Sequence, residues 1–169
     1  MASAPFAFVL LAALGAAQLL PPAGDGDIRT VYWELQNVTD IFLTLEPRTL
    51  KGERAPILTF TCRFPGKRQT APPREVEVQA SAGQFWAPRA ELWFELDGIE
   101  IVNLSASPSN TSLPEGAPDY WSGRLPIDVM RRLAQAPRIR GNALRFPFEL
   151  SASQRQAIRA WLERITPRA

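Results

Sequence analysis

Residues 91–104 have the sequence ELWFELDGIEIVNL. Apolar and polar side chains alternate on both sides of Asp97-Gly98, and a two-residue Asp-Gly loop between alternating runs is typical of a tight β-hairpin. A loop of that length pairs Leu96 with Ile99 and thereby sets the register of both strands. The stretch therefore predicts two antiparallel strands joined at Asp97-Gly98.

This register divides the hairpin into two faces. The face of Leu96 is almost wholly apolar, so we expect it to face the core, together with Asn103. The outer face carries Trp93 and places Glu95 opposite Glu100, with Cβ atoms about 4.5–5.5 Å apart. Retaining glycosidases hold two carboxyl groups at about that spacing. Trp93, Glu95 and Glu100 are thus candidate ligand-binding residues; the alternative is a solvated glutamate pair with Trp93 covered by a helix.

The same period of two extends outward from this hairpin through residues 28–104. The apolar positions of the clearest runs are Val31, Trp33 and Leu35; Ile41, Leu43 and Leu45; Leu58, Phe60, Cys62 and Phe64; and Val76 and Val78. Alternation of this kind indicates antiparallel strands with one buried face. We expect a mainly β fold of about seven strands in sandwich-like antiparallel sheets, with the single thiol of Cys62 in the core.

Two helices are predicted near the C-terminus. Pro126 suits the first turn of one helix, and Pro137 ends it. Ser151 and Gln154 form a capping-box pattern that opens the second helix. Between the two helices, residues 138–148 indicate one strand that Pro147 interrupts.

The N-terminal segment is typical of a signal peptide. Residues 1–23 carry no charged side chain, and the small residues Gly15 and Ala17 suit the cleavage site, so Gln18 would begin the mature chain. The leader lacks a basic residue near its start, and its apolar run is almost long enough to span a membrane. An uncleaved membrane tether is therefore the alternative to cleavage.

The predicted organisation is a signal peptide and one domain. Residues 1–17 form the signal peptide, 18–27 a linker, and 28–169 a single β-rich domain. Within that domain we expect a strand meander at 28–104, a loop at 105–118 and a helix–strand–helix segment at 119–169.

Several classes of chemistry are excluded by composition. The 169 residues include no histidine and one cysteine, which removes histidine-based nucleophile systems, thiolate zinc sites and iron–sulfur clusters. No glycine-rich phosphate loop occurs. We therefore expect no enzyme activity, no catalytic residue, no metal and no cofactor.

The charge is divided along the chain. Residues 18–123 carry 9 Lys and Arg against 14 Asp and Glu, whereas residues 124–169 carry 10 against 3. Arg155 and Arg159 lie one helical turn apart and are candidate ligands for an anionic partner. The interleaving of aromatic and basic residues that single-stranded nucleic acid requires is missing, so we expect no nucleic-acid partner.

These features predict an exported bacterial protein, secreted or periplasmic, that acts as a non-catalytic binding or structural domain of the cell envelope. Its partner would be a protein, a glycan or an anionic lipid surface. The alternative function is a carbohydrate-binding or glycan-acting domain that uses the outer aromatic and carboxylate face.

Overall fold

The computed structural model describes residues 26–52, 56–82, 91–104, 107–108 and 119–166. The predicted leader, most of the linker and most of the 105–118 loop lie outside the described residues. Within them the elements are β1 (Asp27–Trp33), β2 (Val38–Leu45), β3 (Arg48–Thr49), β4 (Ile57–Pro65), β5 (Glu75–Ala82), β6 (Leu92–Leu96), β7 (Glu100–Leu104), β8 (Ser107–Pro108), β9 (Asp119–Pro126), α1 (Ile127–Gln135), β10 (Ile139–Ala143), β11 (Phe146–Glu149) and α2 (Ala152–Ile165).

Six strands form the first sheet, in the order β1-β2-β4-β5-β9-β8, and all neighbours are antiparallel. Leu43 and Leu45 of β2, together with Phe60 and Cys62 of β4, are fully buried on its inner face. The predicted alternation of these strands, and the predicted burial of the thiol, are therefore confirmed.

The alternation in β1 has the phase opposite to the one predicted. Val31 pairs with Asp40 on the outer face, and Trp33 follows on that same face with 45% of its surface exposed. Leu35 lies in the turn after β1 and is fully exposed. The outer face provides the acceptor that the indole N–H requires, because Trp33 Nε1 donates to Asp40 Oδ2 at 2.9 Å.

The remaining five strands form the second sheet, in the order β3-β11-β10-β6-β7, again with antiparallel neighbours. Leu92, Phe94 and Leu96 of β6 are buried on the inner face. Trp93 and Glu95 lie half-buried on the outer face, which is the side predicted for them.

The predicted register of the β6–β7 hairpin is wrong by one residue. The loop contains three residues, Asp97 to Ile99, so Leu96 pairs with Glu100 and Glu95 pairs with Ile101. Because a shift of one residue exchanges the faces of a strand, Glu100 moves to the side of Leu96. Asn103 moves to the outer face, where it is exposed.

Backbone contacts with Arg138 explain the longer loop. The Asp97 N–H donates to the Arg138 carbonyl at 3.1 Å, and Asp97 Oδ1 accepts from the Arg138 N–H at 3.0 Å. Asp97 and Gly98 take left-handed φ angles of 55° and 73°. The Ile99 N–H then closes the loop on the Leu96 carbonyl at 3.0 Å.

The two sheets share one core through a chain of aromatic rings. Phe60 of the first sheet lies 6.2 Å from Phe94 of the second, and Phe94 lies 6.1 Å from Phe148. Trp161 of α2 completes the chain at 6.1 Å from Phe60. The predicted mainly β architecture, with sandwich-like antiparallel sheets and two helices, is confirmed.

Both helices begin where the sequence predicts. Pro126 directly precedes α1. At α2, Ser151 accepts from the Gln154 N–H, and the Gln154 side chain accepts from the Ser151 N–H, which completes the capping box. Both helices pack against each other and against strands of the first sheet, α1 against β9 and α2 against β1 and β2.

The single strand predicted at 138–148 is wrong, because this segment forms a hairpin of β10 and β11. Leu144 and Arg145 make the turn with φ angles of 55° and 83°. Neither residue type favours the left-handed region, so the usual sequence signal of a two-residue turn is missing.

In the part of the chain that the structure describes, neither helix has the length and apolar character needed to cross a membrane.

Candidate functional site

The outer face of the second sheet brings an indole and two amides into one row. Trp93 of β6 pairs with Asn103 of β7 on one side and with Asn142 of β10 on the other. Asn103 is exposed, whereas Trp93 and Asn142 are half-buried. Residues that pair directly across antiparallel strands are close enough for their side chains to act together.

Glu95 adds a carboxylate to this row from two residues farther along β6. Among the described residues it has no hydrogen-bond donor and no ion-pair partner, and the Asn103 amide likewise has none. Asn142 Oδ1 is buried without a donor in this part of the chain. We call Trp93, Glu95, Asn103 and Asn142 the Trp93 face.

A cluster of ion pairs adjoins the Trp93 face. In the register of the sheet, Arg140 of β10 lies opposite Glu95 of β6 on one side and opposite Glu149 of β11 on the other. Arg138 donates to Glu149 from Nε at 3.1 Å and from Nη2 at 3.0 Å, and Arg140 Nε donates at 3.2 Å. The bond from Arg138 is the main cause that lowers the pKa of Glu149. Glu95 interacts with this cluster only through charge, since it helps to raise the pKa of Arg138, and its carboxylate oxygens accept no hydrogen bond from the described residues.

The predicted partnership of Glu95 with Glu100 does not form. Since Glu95 pairs with Ile101 and Glu100 pairs with Leu96, the two glutamates lie on opposite faces of the hairpin. The side chain of Glu100 lies outside the described residues. The carboxylate pair that suggested glycosidase chemistry is therefore removed from the site.

Neither of the two described helices packs over Trp93, whereas the alternative interpretation predicted such a cover. Helices α1 and α2 pack against the first sheet and against each other, and Trp93 stays half-buried. The described part of the outer face thus leaves part of the indole accessible.

Arg155 and Arg159 have separate structural bonds. Arg155 Nη1 donates to the Leu150 carbonyl at 2.8 Å, and Arg159 Nε donates to the Ala134 carbonyl at 2.6 Å. Arg155 also lines a groove of about 340 Å³ that includes Arg48 and Glu149. Arg159 lines a second groove, of about 380 Å³, between the two helices. Neither arginine belongs to the Trp93 face.

Sequence reasoning missed both amides of the Trp93 face. Asn103 was assigned to the core because the two-residue loop put it in register with the inner face. Asn142 carried a usable signal, since it is polar between Gly141 and Ala143, which the structure buries. If β10 is recognised as a separate strand, its alternation places the Asn142 side chain on the outer face.

The described residues contain no group of three or more His, Cys, Asp or Glu side chains that could hold a metal ion. The thiol of Cys62 is no candidate nucleophile either. Burial, with a smaller effect of Asp40, raises its pKa to about 11, and the reactive form of a cysteine is the thiolate. The chemistry that the Trp93 face offers is stacking and hydrogen bonding.

No protein-family model, no curated protein and no solved structure matches this chain.

Proposed function

We propose that this chain is an exported, non-catalytic domain of the cell envelope that binds glycan through the Trp93 face. The observation that carries the proposal is the indole of Trp93, set between two amides and next to the Glu95 carboxylate, which accepts no hydrogen bond from the residues that the structure describes. An aromatic ring with a few convergent polar groups is a common composition of a binding site.

Each part of the Trp93 face matches a part of a sugar. The apolar face of a pyranose ring packs on an indole, which buries carbon surface on both partners. Hydroxyl groups around the ring both donate and accept hydrogen bonds, as amides do. The Glu95 carboxylate accepts two hydroxyl donors, and the exposed Asn103 amide offers both a donor and an acceptor.

The residues around the Trp93 face support binding without turnover. A glycosidase needs a second carboxylate across the scissile bond, and Glu100 lies on the opposite face of the sheet from Glu95. The remaining acid in the neighbouring row, Glu149, is held by Arg138 and Arg140. We therefore propose recognition and assign no catalytic residue.

Affinity electrophoresis against purified envelope polysaccharides, followed by calorimetric titration, tests this proposal. We expect at least one polysaccharide to bind. Trp93→Ala should weaken binding tenfold or more, and Asn103→Ala should weaken it about three- to tenfold, because one neutral hydrogen bond contributes about 0.5–1.5 kcal/mol. Tryptophan fluorescence of the bound protein should lose its shift in Trp93→Phe.

Trp33→Ala is the matched control, since it removes a partly exposed indole from the outer face of the other sheet. Its glycan affinity should equal that of the wild type once circular dichroism shows that it is folded. The proposal fails if no polysaccharide binds, or if Trp93→Ala binds as well as Trp33→Ala. Retention of an envelope protein in place of glycan would instead support a protein-binding domain.

A further inference from the structure

One end of the first sheet gathers two connections of the chain. The Gly66 N–H donates to the Asn37 carbonyl at 2.7 Å, and Thr39 Oγ1 donates to the Gly66 carbonyl at 2.6 Å. The β1–β2 turn and the start of the β4–β5 connection therefore lie side by side. The C-terminus of α2 also reaches this end, because Gln69 Nε2 donates to the Ile165 carbonyl at 2.7 Å.

Two large apolar side chains are exposed at this end. Leu35 has 104% relative exposure, and Trp33 has 45%. The bond from Trp33 Nε1 to Asp40 fixes the indole at the outer face of the sheet. Together they place an aliphatic side chain at the tip of a turn and an amphipathic ring just behind it.

Basic side chains lie on the two segments that adjoin this apolar tip, the start of the β4–β5 connection and the end of α2. Lys67, Arg68 and Arg164 are exposed, and none of them has an ion-pair partner among the described residues. Lys67 Nζ lies 4.9 Å from the centre of the Tyr32 ring. Because Tyr32 and Trp33 are successive residues of β1, this ammonium and the Trp33 indole approach the end of the sheet from opposite faces. Glu34 is the one acidic residue in the 34–37 turn.

We propose that this end of the sheet is a contact surface for an anionic lipid bilayer. The surface consists of Trp33, Leu35, Lys67, Arg68 and Arg164, and we call it the hairpin end. Leu35 would enter the acyl region, the indole would lie at the headgroup level where tryptophan is enriched, and the three cations would meet lipid phosphates.

A bilayer suits the hairpin end better than a soluble acidic polymer does. Charge alone would serve both partners, but a polyanion gains nothing from an exposed leucine at the tip of a turn. A lipid surface uses both features, because apolar insertion and attraction to anionic headgroups add to the binding strength. Each basic residue near such a surface raises affinity roughly fivefold.

This inference goes beyond the proposed glycan binding and does not rest on it. The hairpin end belongs to the first sheet and the Trp93 face to the second, so they share no residue. Trp93→Ala should leave vesicle binding unchanged, and Leu35→Ser should leave glycan binding unchanged. Each proposal can therefore fail without the other.

Vesicle flotation tests whether the hairpin end contacts lipid. The protein is expressed with residues 1–17 and purified, and mass spectrometry identifies its N-terminal residue. Phosphatidylcholine vesicles that contain anionic phosphatidylglycerol should bind the protein, because basic residues are attracted to an anionic surface. The binding should weaken as the salt concentration is raised. Leu35→Ser should lower affinity about fivefold or more, and the double variant Lys67→Gln, Arg68→Gln roughly 25-fold. Ile99→Ser is the matched control, because Ile99 is 90% exposed in the β6–β7 loop.

The position of the indole provides a second readout. Lipids brominated in the upper acyl chain should quench tryptophan fluorescence, and Trp33→Phe should remove most of that quenching while Trp93→Phe does not. The proposal is overturned if Leu35→Ser binds like the wild type, or if neutral and anionic vesicles bind equally. It is also overturned if an acidic polysaccharide binds the hairpin end and vesicles do not.

Discussion

Asp40 is the only buried charged side chain among the residues that the structure describes, at 1% exposure. Its two carboxylate oxygens accept from Arg63 at 2.7 Å each, and Oδ2 also accepts from the Trp33 indole. A buried carboxylate needs such partners, because desolvation without hydrogen bonds is costly. Asp40 therefore links β1, β2 and β4 on the outer face of the first sheet.

Replacing this carboxylate should destabilise the fold. Asp40→Asn keeps the shape of the side chain, but it removes the charge and replaces one acceptor oxygen with an NH2 donor that faces the Arg63 donors. We therefore expect a loss of about 1–3 kcal/mol in the free energy of unfolding. Urea denaturation measures it. Glu75→Gln is the control, since Glu75 pairs with Arg124 on an exposed surface, and it should cost less than about 0.5 kcal/mol. Equal losses would contradict the assignment.

Cys62 should be protected from modification in the folded protein. It is fully buried, and its pKa is raised to about 11, so a thiol reagent at pH 8 should react only as fast as the protein opens. Since the folded state favours the neutral thiol, its contribution to stability is present below about pH 9 and is lost as the pH rises toward 11. Rapid labelling under native conditions would contradict this burial; labelling in denaturant is the control.

At the scale of single residues, the sequence predicted what depends on the immediate strand pattern. Cys62 shares its phase with Leu58 and Phe60, and all three are buried. Trp33 was placed on the wrong face, because its orientation depends on an acceptor from the neighbouring strand. An alternating pattern cannot show where that acceptor lies.

At the scale of elements, turns decide more than strands do. The β10–β11 turn has Leu144 and Arg145 in the left-handed region, where side chains other than glycine are disfavoured by about 1–2 kcal/mol. Leu144 is buried, and its N–H donates to the Glu91 carbonyl at 3.2 Å. Tertiary packing therefore maintains a turn that local preference opposes.

Relieving this conformation should stabilise the hairpin. Arg145 is exposed with φ near 83°, so Arg145→Gly should raise the free energy of unfolding relative to Arg145→Ala by about 1 kcal/mol. Both variants remove the same side chain, and the difference between them isolates the backbone effect. Thermal or urea denaturation measures it. If the alanine variant were the more stable, the turn would not have the conformation described.

The helix boundaries show the opposite case. The capping box at Ser151 and Gln154 uses residues three apart, and it forms as the sequence indicates. A cap is satisfied within one helical turn, whereas the three-residue β6–β7 loop depends on Arg138, which is 41 positions from Asp97. Elements whose hydrogen bonds are local were predictable from the sequence, and elements whose hydrogen bonds need a partner distant in the sequence were not.

At the scale of the whole molecule, the division of charge remains the clearest feature of composition. Part of the basic C-terminal segment is neutralised in place, because Arg138 and Arg140 hold Glu149 and Arg124 holds Glu75. Arg164 has no ion-pair partner among the residues that the structure describes, and it lies on the helix whose C-terminus reaches the hairpin end. The two proposed surfaces thus occur on different sheets of the same core.

Export can be tested on the intact chain. When the chain is expressed with residues 1–17 in a bacterial host, the protein should be recovered outside the cytoplasm with Gln18 as its first residue, because the small residues Gly15 and Ala17 precede that bond. Mass spectrometry of the purified protein measures this. Ala17→Leu is the variant that should block processing; an unprocessed wild-type chain in the membrane fraction would instead support the tether.

From the amino-acid sequence alone we predict the mainly β class, the inner faces of most strands, both helices and the exclusion of histidine and thiolate-cluster chemistry. These depend on side-chain period, local caps and composition. The β6–β7 register, the phase of β1 and the hairpin of β10 and β11 depend on contacts between segments that are distant in the sequence. The physical reason is that a register or a turn is stabilised by hydrogen bonds to backbone or carboxylate groups that are close in space but distant in the sequence. These contacts separated Glu95 from Glu100 and placed Trp93 between Asn103 and Asn142.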